Sequence, residues 1–259
     1  PNRLEEVIIL QHVLTVNPED FKAFYYLGNF WYAKRQYKEA IDCWEKSIGI
    51  NDEFPTVLRN LALAYYNKAD KKEQAVRLLE KAFSLDDTDS RIFMELDQLY
   101  KKLNYAPAER LTILEEHMDL VEQRDDLFIE RISLYNRLGR YETARALCAG
   151  RNFHPWEGGE GKVTFQYTYC RIQLAKQAIE EGDYSRALEL LNETDVYPHN
   201  LASSGNDSAF LKCLITDSFN GVKSDSFSNT LTIRLFFPPP EMFTFFPSTK
   251  LSVQDEIFA

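Results

Sequence analysis

The segment with the most varied chemistry runs Phe153-His154-Pro155-Trp156-Glu157-Gly158-Gly159-Glu160-Gly161-Lys162. Gly-Gly-Glu-Gly-Lys invites comparison with a phosphate-binding loop. The spacing is not G-x-x-x-x-G-K-[ST], Val163 follows the Lys and no strand precedes it, so that chemistry is rejected. His154, Glu157 and Glu160 have metal-ligating side chains, yet no second His stands near them, and no metal site is assigned. His154, Trp156 and Glu157 could form a shallow ligand loop with Trp156 as a sugar-stacking platform. The plainer reading is a long connection between helices, in which Trp156 plugs a gap and the glycines permit positive φ. Cys43, Cys148, Cys170 and Cys213 are scattered and form no C-x-x-C pair. A nucleophilic Cys needs a His base and an orienting group, and neither His12 nor His117 has a partner at such spacing. No catalytic constellation is found, and neither enzymatic activity nor a cofactor is expected.

Composition narrows the remaining classes. With 30 Lys and Arg against 40 Asp and Glu, the net charge of −10 argues against a nucleic-acid partner. No run of 18 apolar residues is present, so no membrane partner is expected. The unpaired cysteine spacing fits a reducing, cytoplasmic location. The chain opens Pro-Asn-Arg without Met, and is expected to be a fragment or a processed product.

Whatever these residues do, helices must position them, and the helices recur. Phe24-x-x-Leu27-Gly28-x-x-Trp31 is followed by Ala40-x-x-x-Trp44. Thirty-four residues on stand Leu58, Leu61, Ala62 and Tyr65, with Ala75, Leu79 and Ala82 after one inserted residue. Phe93, Leu96 and Tyr100 open a third repeat. Phe128 and Tyr135 open a fourth, closed by Gly139-x-Tyr141-x-x-Ala144. Leu174, Ala175 and Ala178 open a fifth, closed by Gly182-x-Tyr184-x-x-Ala187. Small residues at the eighth position (Gly28, Ala62, Ala175) and the twentieth (Ala40, Ala75, Ala144, Ala187) let paired helices approach closely. Gly139 and Gly182 suit the left-handed cap that ends a first helix.

The third repeat departs from this pattern. Asp97 takes the small eighth position and Asn104-Tyr105-Ala106-Pro107 replaces the Gly turn. Its second helix is expected to run unbroken from Ala108 through Val121, with an irregularity in the stack. The pattern predicts an array over 1–200. A half repeat covers 1–18, full repeats lie near 21–54, 55–89, 90–124, 125–155 and 168–201, and an insertion loop covers 152–163.

This pattern resembles the tetratricopeptide repeat family over roughly residues 1–200. The resemblance implies an all-α, right-handed superhelical solenoid of helix-turn-helix repeats. It also implies a non-catalytic scaffold whose concave face holds a peptide or protein partner. The Phe153–Lys162 segment and Tyr197-Pro198-His199-Asn200-Leu201 are similar to the C-terminal repeat region of bacterial proteins with an N-terminal β-rich domain of unknown function. That likeness implies an alternative: an accessory module of a larger carbohydrate-active protein, with a glycan partner reached through a domain absent here.

Residues at the second, fifth, sixth, ninth, twelfth and thirteenth positions should face the groove. They include Tyr25, Tyr26, Asn29 and Tyr32, then Arg59, Asn60 and Tyr66, then Arg91, Met94, Glu95 and Gln98. Tyr and Asn combine a flat apolar body with donors and acceptors for a peptide main chain. Tyr25, Asn29, Arg59, Asn60 and Arg91 are the expected peptide-binding residues. Some tetratricopeptide domains hold a C-terminal carboxylate in a clamp, which Asn29, Asn60 and Arg91 resemble. Tyr25 and Glu95 stand where that clamp is basic, and Glu95 is expected to repel a carboxylate.

After Leu201 the composition changes. Nine of the 18 Phe lie in 203–259, with Phe236-Phe237-Pro238-Pro239-Pro240 and Phe243-Thr244-Phe245-Phe246-Pro247. Asp207 to Phe219 suits a partial sixth repeat, and the prolines beyond forbid a long helix. The tail is expected to cover the array's end, to bind another chain or form a homo-oligomer, or to be foreign to the family.

Overall fold

The structure, a computed structural model, describes residues 3–159, 161–194 and 197–201. The sixth-repeat helix, Cys213 and the Phe-rich tail lie outside the described residues. Among those described, twelve α-helices and one short 3-10 turn (His199–Leu201) form the whole fold, without a strand. They are α1 (Leu4–Val16), α2 (Phe21–Ala33), α3 (Tyr37–Ile50), α4 (Pro55–Lys68), α5 (Lys72–Leu85) and α6 (Ser90–Lys102). Then follow α7 (Pro107–Glu116), α8 (Met118–Gln123), α9 (Asp125–Arg137), α10 (Tyr141–Gly150), α11 (Lys162–Glu180) and α12 (Tyr184–Asn192). Two compact parts divide between Arg124 and Asp125.

Local chemistry starts and stops these helices. The Asp20 carboxylate accepts from the Ala23 N–H at 2.9 Å, and Asp89 and Asp183 cap α6 and α12 in the same way. Pro55 and Pro107 occupy first-turn positions of α4 and α7, where a missing N–H costs nothing. The turn between the helices of each pair is the most regular feature. Arg35, Asp70, Asn104, Gly139 and Gly182, one per repeat, all adopt a left-handed φ between 51° and 81°. The residue after each donates its N–H back to the carbonyl of Trp31, Tyr65, Tyr100, Tyr135 or Ala178, at 2.7–3.0 Å. That is a Schellman closure. Asn104 therefore keeps the turn in the third repeat although its Gly is gone.

In the first part, Ala40, Ala62, Ala75 and Ala82 are wholly buried among Leu58, Leu61 and Leu79. A Cβ on Gly28 would stand 2.3 Å from the Trp44 Nε1, so the indole lies flat on the α2 backbone. From there that nitrogen donates to the Tyr25 carbonyl at 3.2 Å. A second staple repeats between neighbouring pairs. The Tyr65 hydroxyl donates to Glu45 at 2.5 Å and the Tyr100 hydroxyl to Glu80 at 2.9 Å, each over twenty residues.

The third repeat corrects one expectation. Its second helix does not run on to Val121 but breaks at His117 into α7 and α8. The His117 ring packs edge-on against Phe83 and Phe93, with centroids 5.1 and 5.0 Å away. At the same residue the backbone has φ −123° and ψ 47°, outside the helical region.

In the second part, Leu174, Ala175, Ala178, Ala187 and Leu190 form the core between α11 and α12. Helix α11 starts at Lys162, six residues before the expected repeat boundary, so it takes up the end of the insertion loop. Arg171, 4% exposed, lies over the Tyr167 ring and donates to Glu193 at 2.7 Å. Arg145 on α10 reaches the other Glu193 oxygen at 2.7 Å. Burial alone would raise the Glu193 pKa, but these two guanidinium groups hold it below the ordinary carboxylate range.

Candidate functional site

The first helices of the first three pairs, α2, α4 and α6, bring five of the groove-position residues into one connected chain. Asn60 donates Nδ2–H to Asn29 Oδ1 at 3.1 Å, joining α4 to α2. Arg59 Nη1 donates to Asn60 Oδ1 at 3.1 Å, along α4. The same guanidinium donates Nε–H to Glu95 Oε2 at 2.5 Å and Nη2–H to Glu95 Oε1, joining α4 to α6. Arg91, 60% exposed at its side chain, adds an Nε contact to Glu95 at 3.3 Å, one helical turn away. Paired bonds of this kind are among the stronger side-chain hydrogen bonds and fix both partners in plane.

Asn29, Arg59, Asn60 and Arg91 stand together on these three helices, and the Glu95 carboxylate differs from its sequence reading. Its side chain has no exposed area and is neutralised by Arg59, so it presents no charge that would repel an anion. Arg59 stands 36 residues before Glu95, on the facing row of the neighbouring repeat, a pairing that reading one helix at a time misses. Met94 also departs from expectation, being 5% exposed and part of the core.

Aromatic rings flank the polar row. Tyr25 lies with its ring centroid 5.1 Å from Tyr26 and 4.9 Å from Phe54, and Tyr26 is 46% exposed. Tyr66, one turn beyond Leu63, carries Lys102 over its ring at 5.5 Å. Tyr32 turns its ring toward α3, where Tyr37 and Trp44 lie 5.1 and 5.4 Å away. Elsewhere in this part, a pocket of about 330 Å³ is lined by Tyr37, Lys38, Glu45, Lys68 and Lys71. Two of its lysines are engaged within it: Lys71 pairs with Glu45 at 3.4 Å and Lys68 sits 4.4 Å from the Tyr37 ring centre.

In the second part, the loop that follows α10 is braced rather than open. Asp125, at the start of α9, accepts from Arg151 Nε at 2.6 Å and from the His154 N–H at 2.8 Å, with His154 Nδ1 at 3.1 Å. Burial would raise the Asp125 pKa, but the His154 and Arg151 hydrogen bonds outweigh it and hold the carboxyl below its ordinary range. Asn200 Nδ2 donates to the carbonyls of Cys148 and Arg151, and Phe153 N–H donates to the Asn200 carbonyl at 2.8 Å. Trp156 lies on the Gly159 backbone, where a Cβ would stand 2.3 Å from the indole, and Glu157 is exposed. His154, Trp156 and Glu157 therefore do not converge on one point: His154 faces Asp125, and Trp156 covers its own loop. Cys148 and Cys170 are buried and free. The Cys148 thiol is pushed up by its hydrogen bond to Cys170 and by burial, which makes it a poor nucleophile at neutral pH. Among the described residues no three His, Cys, Asp or Glu side chains gather as metal ligands. No described helix is long and apolar enough to cross a membrane.

No protein-family model matches the chain. Among solved structures, it is similar to YrrB, a TPR protein with an unusual peptide-binding site. The alignment covers 79% of this chain and 97% of that one, at 16% identity and a TM-score of 0.53. It is also similar to a chain of the Naa15/Naa10 complex bound to HypK-THB, over 83% of this chain but 32% of that one, at 14% identity and a TM-score of 0.50. At such identities the likeness concerns the fold: the chain has the all-helical tetratricopeptide-repeat fold.

Proposed function

We propose that the face shared by α2, α4 and α6 binds an extended segment of a partner protein, and that the chain acts as a non-catalytic scaffold. The observation that carries this reading is the Asn29–Asn60–Arg59–Glu95–Arg91 chain, which spans three repeats and is flanked by Tyr25, Tyr26 and Tyr66. The rings supply apolar area and the side-chain amides supply donors for peptide carbonyls. The fixed network holds those groups in place before a ligand arrives, which lowers the ordering cost of binding. The peptide-binding site for which YrrB is described supports the same use of this fold.

The test is selection of peptides from a random library on the full-length chain, followed by hydrogen-exchange mapping. Protection confined to α2, α4 and α6 is the expected footprint. Selected peptides that protect only other helices would refute the reading.

A further inference from the structure

Two thiols meet inside the second part. Cys148 lies in the last turn of α10 and Cys170 midway along α11, 22 residues on, and neither has exposed area. The Cys148 S–H donates to the Cys170 sulfur. Arg171 Nη1, which donates to the Tyr167 carbonyl at 3.1 Å, also stands 3.7 Å from that sulfur. A buried thiol that only fills space packs as a small hydrophobe and needs no such partners. Here a second thiol and a guanidinium both point protons at one sulfur, an arrangement that favours its thiolate. Together they outweigh burial and hold the Cys170 thiol below its ordinary range, whereas Cys148 keeps its proton. One sulfur is thus prepared to attack, with a second already in contact to follow.

We propose that Cys148 and Cys170 are an oxidation site, a dithiol that hydrogen peroxide converts into a reversible disulfide joining α10 to α11. The Cys170 thiolate attacks one peroxide oxygen: an S–O bond forms, the O–O bond breaks, and hydroxide leaves with a proton as water. Cys170 is then a neutral sulfenic acid, so the negative charge that opposed ionisation of Cys148 is gone. The Cys148 sulfur attacks the Cys170 sulfur, the S–S bond forms and the S–O bond breaks. The departing hydroxide takes the Cys148 proton as a second water. Two thiols are oxidised and one peroxide is reduced to two waters. Burial makes the reaction slow, because the oxidant enters only when the last turn of α10 opens.

The experiment treats the full-length chain with hydrogen peroxide while its helical circular dichroism holds. Remaining thiols are then blocked with iodoacetamide and the chain is digested with trypsin without reduction. Mass spectrometry is expected to find fragment 146–151 linked to fragment 163–171, which carry Cys148 and Cys170, and to lose the link after dithiothreitol. Closing that loop constrains the unfolded chain, so the oxidised protein should melt about 5 °C or more higher, reversibly. In a Cys148→Ser chain the sulfenic acid has no thiol to meet, and dimedone should label Cys170. Peroxide that oxidises Cys43 in the folded chain yet leaves 146–151 and 163–171 unlinked would overturn the proposal. Links from either fragment only to Cys43 or Cys213 would overturn it as well.

Discussion

Arg110 stands thirteen residues after Asp97, the separation that joins Ala62 to Ala75, and the two side chains meet at 2.8 and 3.0 Å with almost no exposure. Where other repeats bring two helix backbones together over small residues, the third replaces that contact with a buried ion pair. Losing either partner strands a charge in the core. Asp97→Ala or Arg110→Ala should each cost about 3–5 kcal/mol. The double substitution should cost well below the sum of the two, because no charge is left behind. Urea denaturation of the four proteins measures this, and simple additivity would show that the pair is not coupled.

Arg35 and Asp70 hold left-handed backbone conformations that Gly fills at no steric cost. Arg35→Gly is therefore expected to stabilise the chain by up to about 1 kcal/mol, with Asp70→Gly similar. Gly139→Ala, in the equivalent turn, should destabilise by a comparable amount. Thermal melts of the three variants check the sign at each turn.

Gly28 is a different kind of glycine, needed for space rather than for φ. Gly28→Ala would drive a methyl into the Trp44 indole and is expected to cost about 1–3 kcal/mol. The same change should shift Trp44 fluorescence by disturbing its bond to the Tyr25 carbonyl, a signal that a mere helix-propensity effect would not give.

Tyr65 and Tyr100 carry a pH signature. Burial, followed by the hydrogen bonds to Glu45 and Glu80, raises both phenol pKa values well above the ordinary tyrosine value. A raised acid pKa means that the folded chain keeps its proton where the unfolded chain releases it. This contribution is fully present below about pH 10 and is lost as pH rises beyond it. Tyr65→Phe and Tyr100→Phe should each cost about 1 kcal/mol at neutral pH. They should also flatten the alkaline limb of the stability curve, and each variant should remove one late-titrating phenol from the tyrosine absorbance titration, in which Tyr167 and Tyr169 also titrate late.

The helix pairs were legible because Gly28, Ala62, Ala40 and Ala75 recur at positions where a larger side chain would hold the backbones apart. The turn of the third repeat was harder to see. Asn104 tolerates the left-handed region but does not announce it as Gly139 does. The break at His117 left no mark in the local pattern, and the rings that pack on His117, Phe83 and Phe93, lie far away in sequence. Of the candidate face, residue types and positions could be read one helix at a time. That Glu95 is neutralised rather than repulsive depends on Arg59, a partner on another helix. The ligand-loop reading of His154 came from its neighbours Trp156 and Glu157 in sequence, whereas its hydrogen bonds to Asp125, 29 residues back, could not be read from that segment.

The most direct test of the central claim is titration calorimetry of a library-selected peptide against the full-length chain and its Asn60→Ala, Arg91→Glu variant. Asn60→Ala removes the link between α2 and α4, and Arg91→Glu reverses the exposed charge of the face. A loss of affinity of about tenfold or more, one to two hydrogen bonds' worth, is expected, with the variant's thermal melt still cooperative. Equal affinity for both proteins would contradict it.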